Sequence, residues 1–243
     1  MIKFLFSPSE SKVEGGEGVF DASRLLFGEH PTRRRIITTY ENFVHTASKD
    51  EISKLFGLKE VGSFDLSKSI YDKEVLKAVE RYSGVAYKHL NYPGLNKNEQ
   101  HYIDSSVIIF SNLFGAIRAS DRIPFYRLRQ GEKVDGVAFE KIYKDELSSQ
   151  LDEYLDGFDI VDLRASFYQK FYDIKSLYLS MKFVKNNKVV SHYAKAYRGA
   201  ILRECAIKNV KNLSDLMSMP LDGLKIKEIL QRQKQTEIVY EII

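Results

Sequence analysis

The chain begins with MIKFLFSPSESKVEGGEG, residues 1–18, where the apolar run Ile2–Phe6 precedes the polar stretch PSESK at 8–12 and three glycines. An apolar run of this length predicts a buried strand, and the polar residues after it predict a loop at the carboxyl edge of a sheet. Open α/β sheets place their ligand sites at that edge. We therefore expect residues 8–18 to form part of a binding site.

The loop carries groups that suit an anionic or nucleotide-like ligand. Ser9 and Ser11 supply hydroxyls, Glu10 supplies a carboxylate and Lys12 supplies an ammonium, while the glycines leave backbone N–H groups accessible. The loop lacks the G-x-x-x-x-G-K-[ST] order of a P-loop. The alternative is a glycine-rich surface turn whose charges are solvated.

Composition limits the class of protein. A chain of 243 residues with 44% hydrophobic and 29% charged residues is typical of a globular protein, and we predict a single domain over 1–243. A net charge of +4 allows a nucleic-acid partner without requiring one. The single cysteine, Cys205, excludes an internal disulfide and gives no metal-ligand spacing. We expect a cytoplasmic protein with no cofactor, no metal and no membrane partner, since no signal peptide or membrane span is evident.

The periodicity of apolar residues predicts alternating strands and helices, and therefore an α/β fold (α+β mixed) in one compact domain. Strands are predicted at 2–6, 106–110, 158–163, 177–184, 189–192, 224–230 and 237–243. Helices are predicted at 31–44, 48–56, 72–82, 97–103 and 136–155, and another ends at 207. We expect a mixed β-sheet flanked by helices and a basic cleft.

Three later segments add candidate anion-binding groups. The candidates are Arg118, Arg122, Tyr126 and Arg127 near the middle of the chain, Arg164, Ser166 and Tyr168 after the strand at 158–163, and His192, Lys195 and Arg198 after the predicted hairpin. Guanidinium and aromatic groups together suit phosphates and stacked bases, although a strand end with exposed arginines gives the same pattern. We expect the loops after Phe6, Leu163 and His192 to meet at one end of the sheet.

Five motifs recur in the order seen in one known family. They are PSESK…GGEG at 8–18, RYSGVAY at 81–87, NLFGAIRASDRIPFYRL at 112–128, VDLRASFY at 161–168 and VVSHYAKAYRGAIL at 189–202. On these motifs the chain resembles the YaaA family of bacterial peroxide-stress proteins, in the branch with a P-S-E-[ST]-K opening loop. The resemblance implies a mixed α/β fold with a positively lined cleft, DNA binding, a role in limiting iron-linked oxidative damage, and a helix-hairpin-helix, for which residues 48–64 are the candidate.

Two functions from different classes follow. In the first, a non-enzymatic protein binds DNA with little sequence preference: Lys12, Arg118, Arg122, Arg127, Arg164, Lys195 and Arg198 pair with phosphates, assisted by Ser9 and Ser166, and Tyr126 or Tyr168 stacks on a base. In the second, an enzyme acts on a nucleotide or nucleobase: Glu10 is the acid or base, Lys12 or Lys195 the nucleophile or electrostatic stabiliser, and His192 a proton shuttle. A third interpretation pairs Glu10 with Lys12 or Arg164 only to satisfy buried charge.

Overall fold

Strand β1 (Ile2–Phe6) lies inside the sheet of the computed structural model, with a parallel neighbour on each side. The structure describes residues 1–62 and 64–243, and within these ranges it does not describe the side chains of Ser191 and His192. The five residues of β1 are all buried, so both faces of this strand are covered. The first apolar run of the sequence is therefore the strand around which the sheet is built.

The described residues form ten strands and eight α-helices. The other strands are β2 (Val75–Lys77), β3 (Val107–Ser111), β4 (Gly115–Arg118), β5 (Arg122–Pro124), β6 (Asp159–Asp162), β7 (Tyr178–Lys185), β8 (Lys188–Val189), β9 (Leu224–Gln231) and β10 (Gln235–Ile242). The helices are α1 (Pro31–Thr46), α2 (Lys49–Phe56), α3 (Ala78–Arg81), α4 (Val85–Leu90), α5 (Lys97–Ser106), α6 (Phe139–Leu155), α7 (Ser191–Ile207) and α8 (Leu213–Ser218).

The main sheet is mixed, as predicted. Its strand order is β4-β3-β1-β6-β7-β10-β9, with β8 paired to β7, and β2 and β5 form a separate pair. The five inner strands run parallel, while β4, β8 and β9 pair antiparallel with their neighbours. The chain places β3 on one side of β1 and β6 on the other, so the winding direction reverses beside β1. Crevices at such switch points hold the ligands of α/β proteins.

Helices cover the sheet as the burial of its inner strands requires. Helix α5 contacts β1 and β4, α7 contacts β7, and α1 packs against α6. The buried side chains of these helices and strands form one hydrophobic cluster that reaches from Ile2 to Ile242. The molecule is thus a single α/β domain, which confirms the predicted fold class. In the part of the chain that the structure describes, no helix combines the length and apolarity needed to cross a bilayer.

The predicted helix over 72–82 is wrong. The segment contains a 3₁₀-helix (Ile70–Asp72), then β2, then the four residues of α3. Tertiary contacts explain the difference, because β2 pairs with β5 and the Ala78 N–H donates to the Asp121 carbonyl oxygen at 2.7 Å. The amphipathic pattern that predicted a helix was overridden by pairing with residues 122–124, which are distant in sequence.

Other boundaries match the sequence more closely. Ser48 and Glu51 form a capping box at the start of α2, and Gly57 ends that helix in the left-handed conformation. Asn186 and Asn187 adopt φ values of 50° and 63° in the two-residue turn between β7 and β8. The strand predicted to reach residue 192 ends at residue 189, because α7 begins at residue 191. No α-helix follows α2 within residues 57–62 and 64–77, so a helix-hairpin-helix over 48–64 is not formed by the described residues.

Candidate functional site

A pocket of ≈ 540 Å³ lies at the carboxyl ends of β1 and β6, beside the switch point of the sheet. Its walls are residues 6–11, residues 84–87, residues 129–130, three residues that follow β6, and Lys195 and Arg198 of α7. The segments after Phe6, after Leu163 and in the first turns of α7 therefore meet, as expected. A volume of this size suits a ligand as large as a nucleotide.

Arg81 holds the opening loop in place. Its buried guanidinium donates to the carbonyl oxygens of Gly15 at 2.8 Å and Ile123 at 3.2 Å, and also to that of Val13. The Val13 N–H donates in return to the Arg81 carbonyl oxygen at 2.8 Å. Together with a hydrogen bond of 3.0 Å from the Ser83 N–H to the Ser11 carbonyl oxygen, these contacts attach the loop to residues 81–83, while Glu10 and Ser11 remain exposed.

Ser7, directly after β1, and Tyr87 of α4 connect the other walls. The Ser7 hydroxyl accepts a hydrogen bond from the Ala165 N–H at 2.8 Å, and the Tyr87 hydroxyl donates to the Ser7 carbonyl oxygen at 2.9 Å. Helix α7 can lie against α4 because residue 199 is glycine, where a Cβ would come within 1.8 Å of the Ala86 carbonyl oxygen. This close approach brings the cations of α7 to the pocket.

Lys195 and Arg198 supply positive charge to the pocket. Lys195 is exposed and Arg198 is half-buried, and neither makes a hydrogen bond or ion pair with any residue that the structure describes. Burial lowers the pKa of Arg198, and the charge of Asp162 opposes that shift. Arg129, the third cation of the pocket wall, lies 3.6 Å from Glu132. Two cations on one helix face are therefore available to an anionic ligand.

Glu10 is the acidic group of the pocket. Its Oε1 accepts a hydrogen bond from the Gln130 N–H at 3.1 Å, and no described cation lies within ion-pair distance of its carboxylate. The proposed charge pairing of Glu10 with Lys12 or Arg164 is wrong, because the Lys12 ammonium bonds the Glu10 carbonyl oxygen and Arg164 bonds Asp162. The remaining lone pairs of the Glu10 carboxylate are free to accept from a ligand.

Lys12 lies directly behind the pocket wall. Its Nζ sits 4.2 Å from the ring centre of Tyr126 and 5.5 Å from that of Tyr82, and its one hydrogen bond goes to the Glu10 carbonyl oxygen at 3.3 Å. The residue is half-buried, and the protein around its ammonium takes the place of part of its water. This desolvation and the charge of Arg127 lower the pKa of Lys12 to about 7, although Glu10 acts in the opposite direction.

This pKa gives the Lys12→Met variant a stability effect that depends on pH. The unfolded chain keeps the proton up to its ordinary pKa of 10.5, while the folded chain releases it near 7, so the cost of the buried charge is full below pH 7 and falls as pH rises. We expect the variant to exceed the wild-type Tm by more at pH 6 than at pH 9, as measured by differential scanning calorimetry. Equal differences at the two pH values would contradict a desolvated Lys12.

Arg164 is not a phosphate ligand in this structure. Its guanidinium binds both carboxylate oxygens of Asp162, at 2.8 Å and 3.0 Å, and also the Tyr172 carbonyl oxygen at 3.0 Å. Both side chains of the pair are 2% exposed. Arg164 is therefore neutralised and enclosed, and its role is to shape the turn after β6. Its neighbour Ser166 is exposed and does not line the pocket, whereas Tyr168 does.

The arginines of 118–127 point to other partners. Arg118 pairs with Asp121 at 2.8 Å, Arg122 donates to the Glu17 carbonyl oxygen at 3.0 Å, and Arg127 lies over the Phe64 ring at 4.7 Å. Tyr126 is buried, where its hydroxyl bonds Ser111 and Tyr82. None of these four residues is among the described residues of the pocket wall. The side chain of His192, the predicted proton shuttle, lies outside the described residues.

Four wall residues with polar side chains were not among the sequence candidates: Ser7, Tyr87, Arg129 and Gln130. Tyr87 falls within the RYSGVAY motif. The glycine of its S-G pair, just before a short helix, was the available signal that another segment of the chain packs closely there. Residue 84 is a glycine at which a Cβ would meet the Ser9 hydroxyl at 2.2 Å. Gln130 acts through its backbone N–H and Ser7 partly through its carbonyl oxygen, and side-chain type does not reveal such backbone contacts.

Comparison with known proteins places the chain among relatives of one kind. Residues 2–230 match the family model described as Peroxide stress protein YaaA. An uncharacterized protein of Campylobacter jejuni is 43% identical over 245 residues, with all of both chains covered. A UPF0246 protein of Corynebacterium glutamicum is 30% identical over 234 residues, which cover 91% of this chain and 93% of the relative. A UPF0246 protein of Fusobacterium nucleatum is 26% identical over 242 residues, which cover 96% of each chain.

Proposed function

We propose that this chain, which belongs to the YaaA family of peroxide-stress proteins, limits iron-linked oxidative damage by binding DNA at the pocket beside β1 and β6. The observation that carries the proposal is the pair Lys195 and Arg198, which line the pocket and have no protein partner among the described residues. Phosphate oxygens are the natural partners of such groups, because charge-assisted hydrogen bonds to them fix a nucleic-acid backbone in place.

The size of the pocket indicates how DNA would bind. A volume of ≈ 540 Å³ accommodates one nucleotide but not a duplex. We therefore place a single unpaired nucleotide in the pocket, with its backbone along α7 and its base toward Tyr87 and Tyr168. Unpaired bases bind aromatic side chains without regard to sequence, so little sequence preference is expected.

The proposal is tested by fluorescence anisotropy with a labelled single-stranded oligonucleotide at several salt concentrations. Binding that uses phosphate contacts weakens with salt, by about 0.7 log units of affinity per contact for each tenfold rise in salt. A random-sequence oligonucleotide and a homopolymer should bind alike. Absence of binding at low ionic strength, or affinity that does not change with salt, would contradict the proposal.

An enzyme that acts on a nucleotide or nucleobase is the second candidate, and the unpaired Glu10 carboxylate in the pocket favours it. A carboxylate in an anion site repels the ligand unless it has a chemical or hydrogen-bonding role. Lys195 and the near-neutral amine of Lys12 are the groups available as electrostatic stabiliser and nucleophile.

The Glu10→Gln variant separates the two candidates. If the pocket only binds DNA, we expect affinity to rise or stay level and cells that carry the variant to survive hydrogen peroxide. If Glu10 transfers a proton, protection should fall with affinity kept, since such groups contribute about 10²–10⁴-fold in rate. The Tm should stay unchanged, because the amide oxygen of glutamine can still accept from the Gln130 N–H. Lost protection in a stable variant with unchanged affinity would refute the purely binding function.

A further inference from the structure

The Lys12 amine is placed differently from every cation that we assign to phosphate binding. Its Nζ lies over two aromatic rings, and its one hydrogen bond to a described residue goes to a carbonyl oxygen. No carboxylate of the described residues lies within ion-pair distance of Nζ, while Arg81 and Arg127 add positive charge around it. An amine in such surroundings loses its proton readily and becomes a nucleophile.

The amine is also close to the pocket wall. Nζ donates to the carbonyl oxygen of Glu10, and Glu10 and Ser11 are both part of the pocket wall. The Tyr82 ring, over which Nζ lies, is 5.4 Å from the ring of Tyr87, another wall residue. A lysine side chain has four rotatable bonds, so rotation that breaks this hydrogen bond and leaves the two rings turns the amine toward the pocket.

We propose that Lys12 forms an imine with the ring-opened sugar aldehyde of an abasic site in DNA. The proposal rests on the proposed function, because it assumes that the pocket receives an unpaired nucleotide position. Oxidation of DNA bases leads to base loss. Because an abasic sugar has no base to fill the space beside Tyr168, its C1′ can approach the side of the pocket where Lys12 lies.

The step balances without an oxidant, a reductant or a co-reactant. The lone pair of the neutral Lys12 amine attacks C1′, a C–N bond forms, and the carbonyl oxygen takes up the proton that the nitrogen loses. Loss of one water from this carbinolamine gives the imine. The Glu10 carboxylate, two residues before Lys12 and part of the wall, is placed to carry the protons between nitrogen and oxygen. Hydrolysis reverses the step and regenerates the free amine.

Borohydride trapping tests the inference. The protein is incubated with a single-stranded oligonucleotide that contains one abasic site, in the presence of sodium cyanoborohydride, and the covalent product is resolved by electrophoresis and mapped by peptide mass spectrometry. We expect a covalent product in which the oligonucleotide is attached to Lys12. Its rate of formation should rise with pH and level off near pH 7, because the pKa of Lys12 is about 7. Lysines with ordinary pKa values would show a rate that still rises above pH 8.

Two variants provide the comparison. Lys12→Arg keeps the positive charge and removes the nucleophile, so trapping should fall to background, whereas Lys88→Arg, an exposed position on α4, should trap like the wild type. If Lys12→Arg does not fold, the mapped site and the pH profile of the wild-type protein decide the question. Product mapped to other lysines, or trapping lost equally in both variants, would overturn the inference.

The DNA-binding proposal and the imine proposal can be tested separately. Anisotropy with an intact oligonucleotide reports DNA binding independently of trapping, so binding without trapping refutes the imine alone. No binding of either oligonucleotide refutes the proposed function and the imine with it. Trapping of free 2-deoxyribose 5-phosphate but not of the abasic oligonucleotide would also refute the inference, because the aldehyde would then be a metabolite and not DNA.

Discussion

Replacing Asp162 with alanine is expected to lower the free energy of unfolding by about 3–5 kcal/mol, because the change leaves a buried guanidinium without its counter-ion. Asp162 and Arg164 are each 2% exposed and are joined by two charge-assisted hydrogen bonds of 2.8 and 3.0 Å. The carbonyl oxygen of Tyr172 at 3.0 Å can compensate only part of the lost interaction. Urea-induced unfolding followed by circular dichroism measures the difference.

A matched control is available on the surface. Asp173 pairs with Lys144 at 2.6 Å, but its side chain is 60% exposed. Exposed pairs contribute about 0–1 kcal/mol, so Asp173→Ala should change stability little. Equal effects of the two substitutions would mean that the Asp162–Arg164 pair is solvated in solution, and Arg164 would return to the list of possible phosphate ligands.

The second large effect is expected on DNA binding. In the double variant Lys195→Ala, Arg198→Ala, the salt dependence of single-stranded DNA affinity should become shallower by about 1.4 log units per tenfold change in salt, since two phosphate contacts of about 0.7 each are lost. Affinity at low salt should fall correspondingly. The measurement is the slope of log affinity against log salt concentration for wild type and variant.

Arg122→Ala serves as the control for this experiment. Arg122 is exposed and carries the same charge, but its guanidinium donates to the carbonyl oxygens of Glu17 at 3.0 Å and Val75 at 3.2 Å, away from the pocket wall. Its removal should leave the slope unchanged. A slope reduced by Arg122→Ala and unaffected by the double variant would place DNA on another surface of the protein.

The position of the site was predictable because it depends on strand ends. The apolar runs of β1 and β6 were evident, and parallel strands bring the residues that follow them to one edge, so Ser9, Glu10 and Tyr168 could be expected together. Which cations pair with a carboxylate inside the protein was not predictable. Arg164 and Arg198 look alike in sequence, yet only Arg164 finds a buried carboxylate two residues away in the folded chain.

Two further features depend on contacts that are distant in sequence. The chain over 72–82 has a helical pattern but pairs with residues 122–124, and the Lys12 ammonium lies over rings contributed by residues 82 and 126. Neither contact leaves a local signal. Periodicity therefore predicted the layout of the main sheet, while long-range packing determined which polar groups remain free to bind a ligand.

Hydrogen–deuterium exchange with and without a single-stranded oligonucleotide tests the central claim that the pocket beside β1 and β6 holds DNA. The amides of Ser9–Ser11 belong to the pocket wall and make no hydrogen bond within the described residues, so they should exchange fast in the free protein. We predict slower exchange in peptides that cover 7–13 and 84–87 when the oligonucleotide is bound, and no change over 115–122. Slower exchange confined to 115–122, with the pocket segments unaffected, would contradict the account.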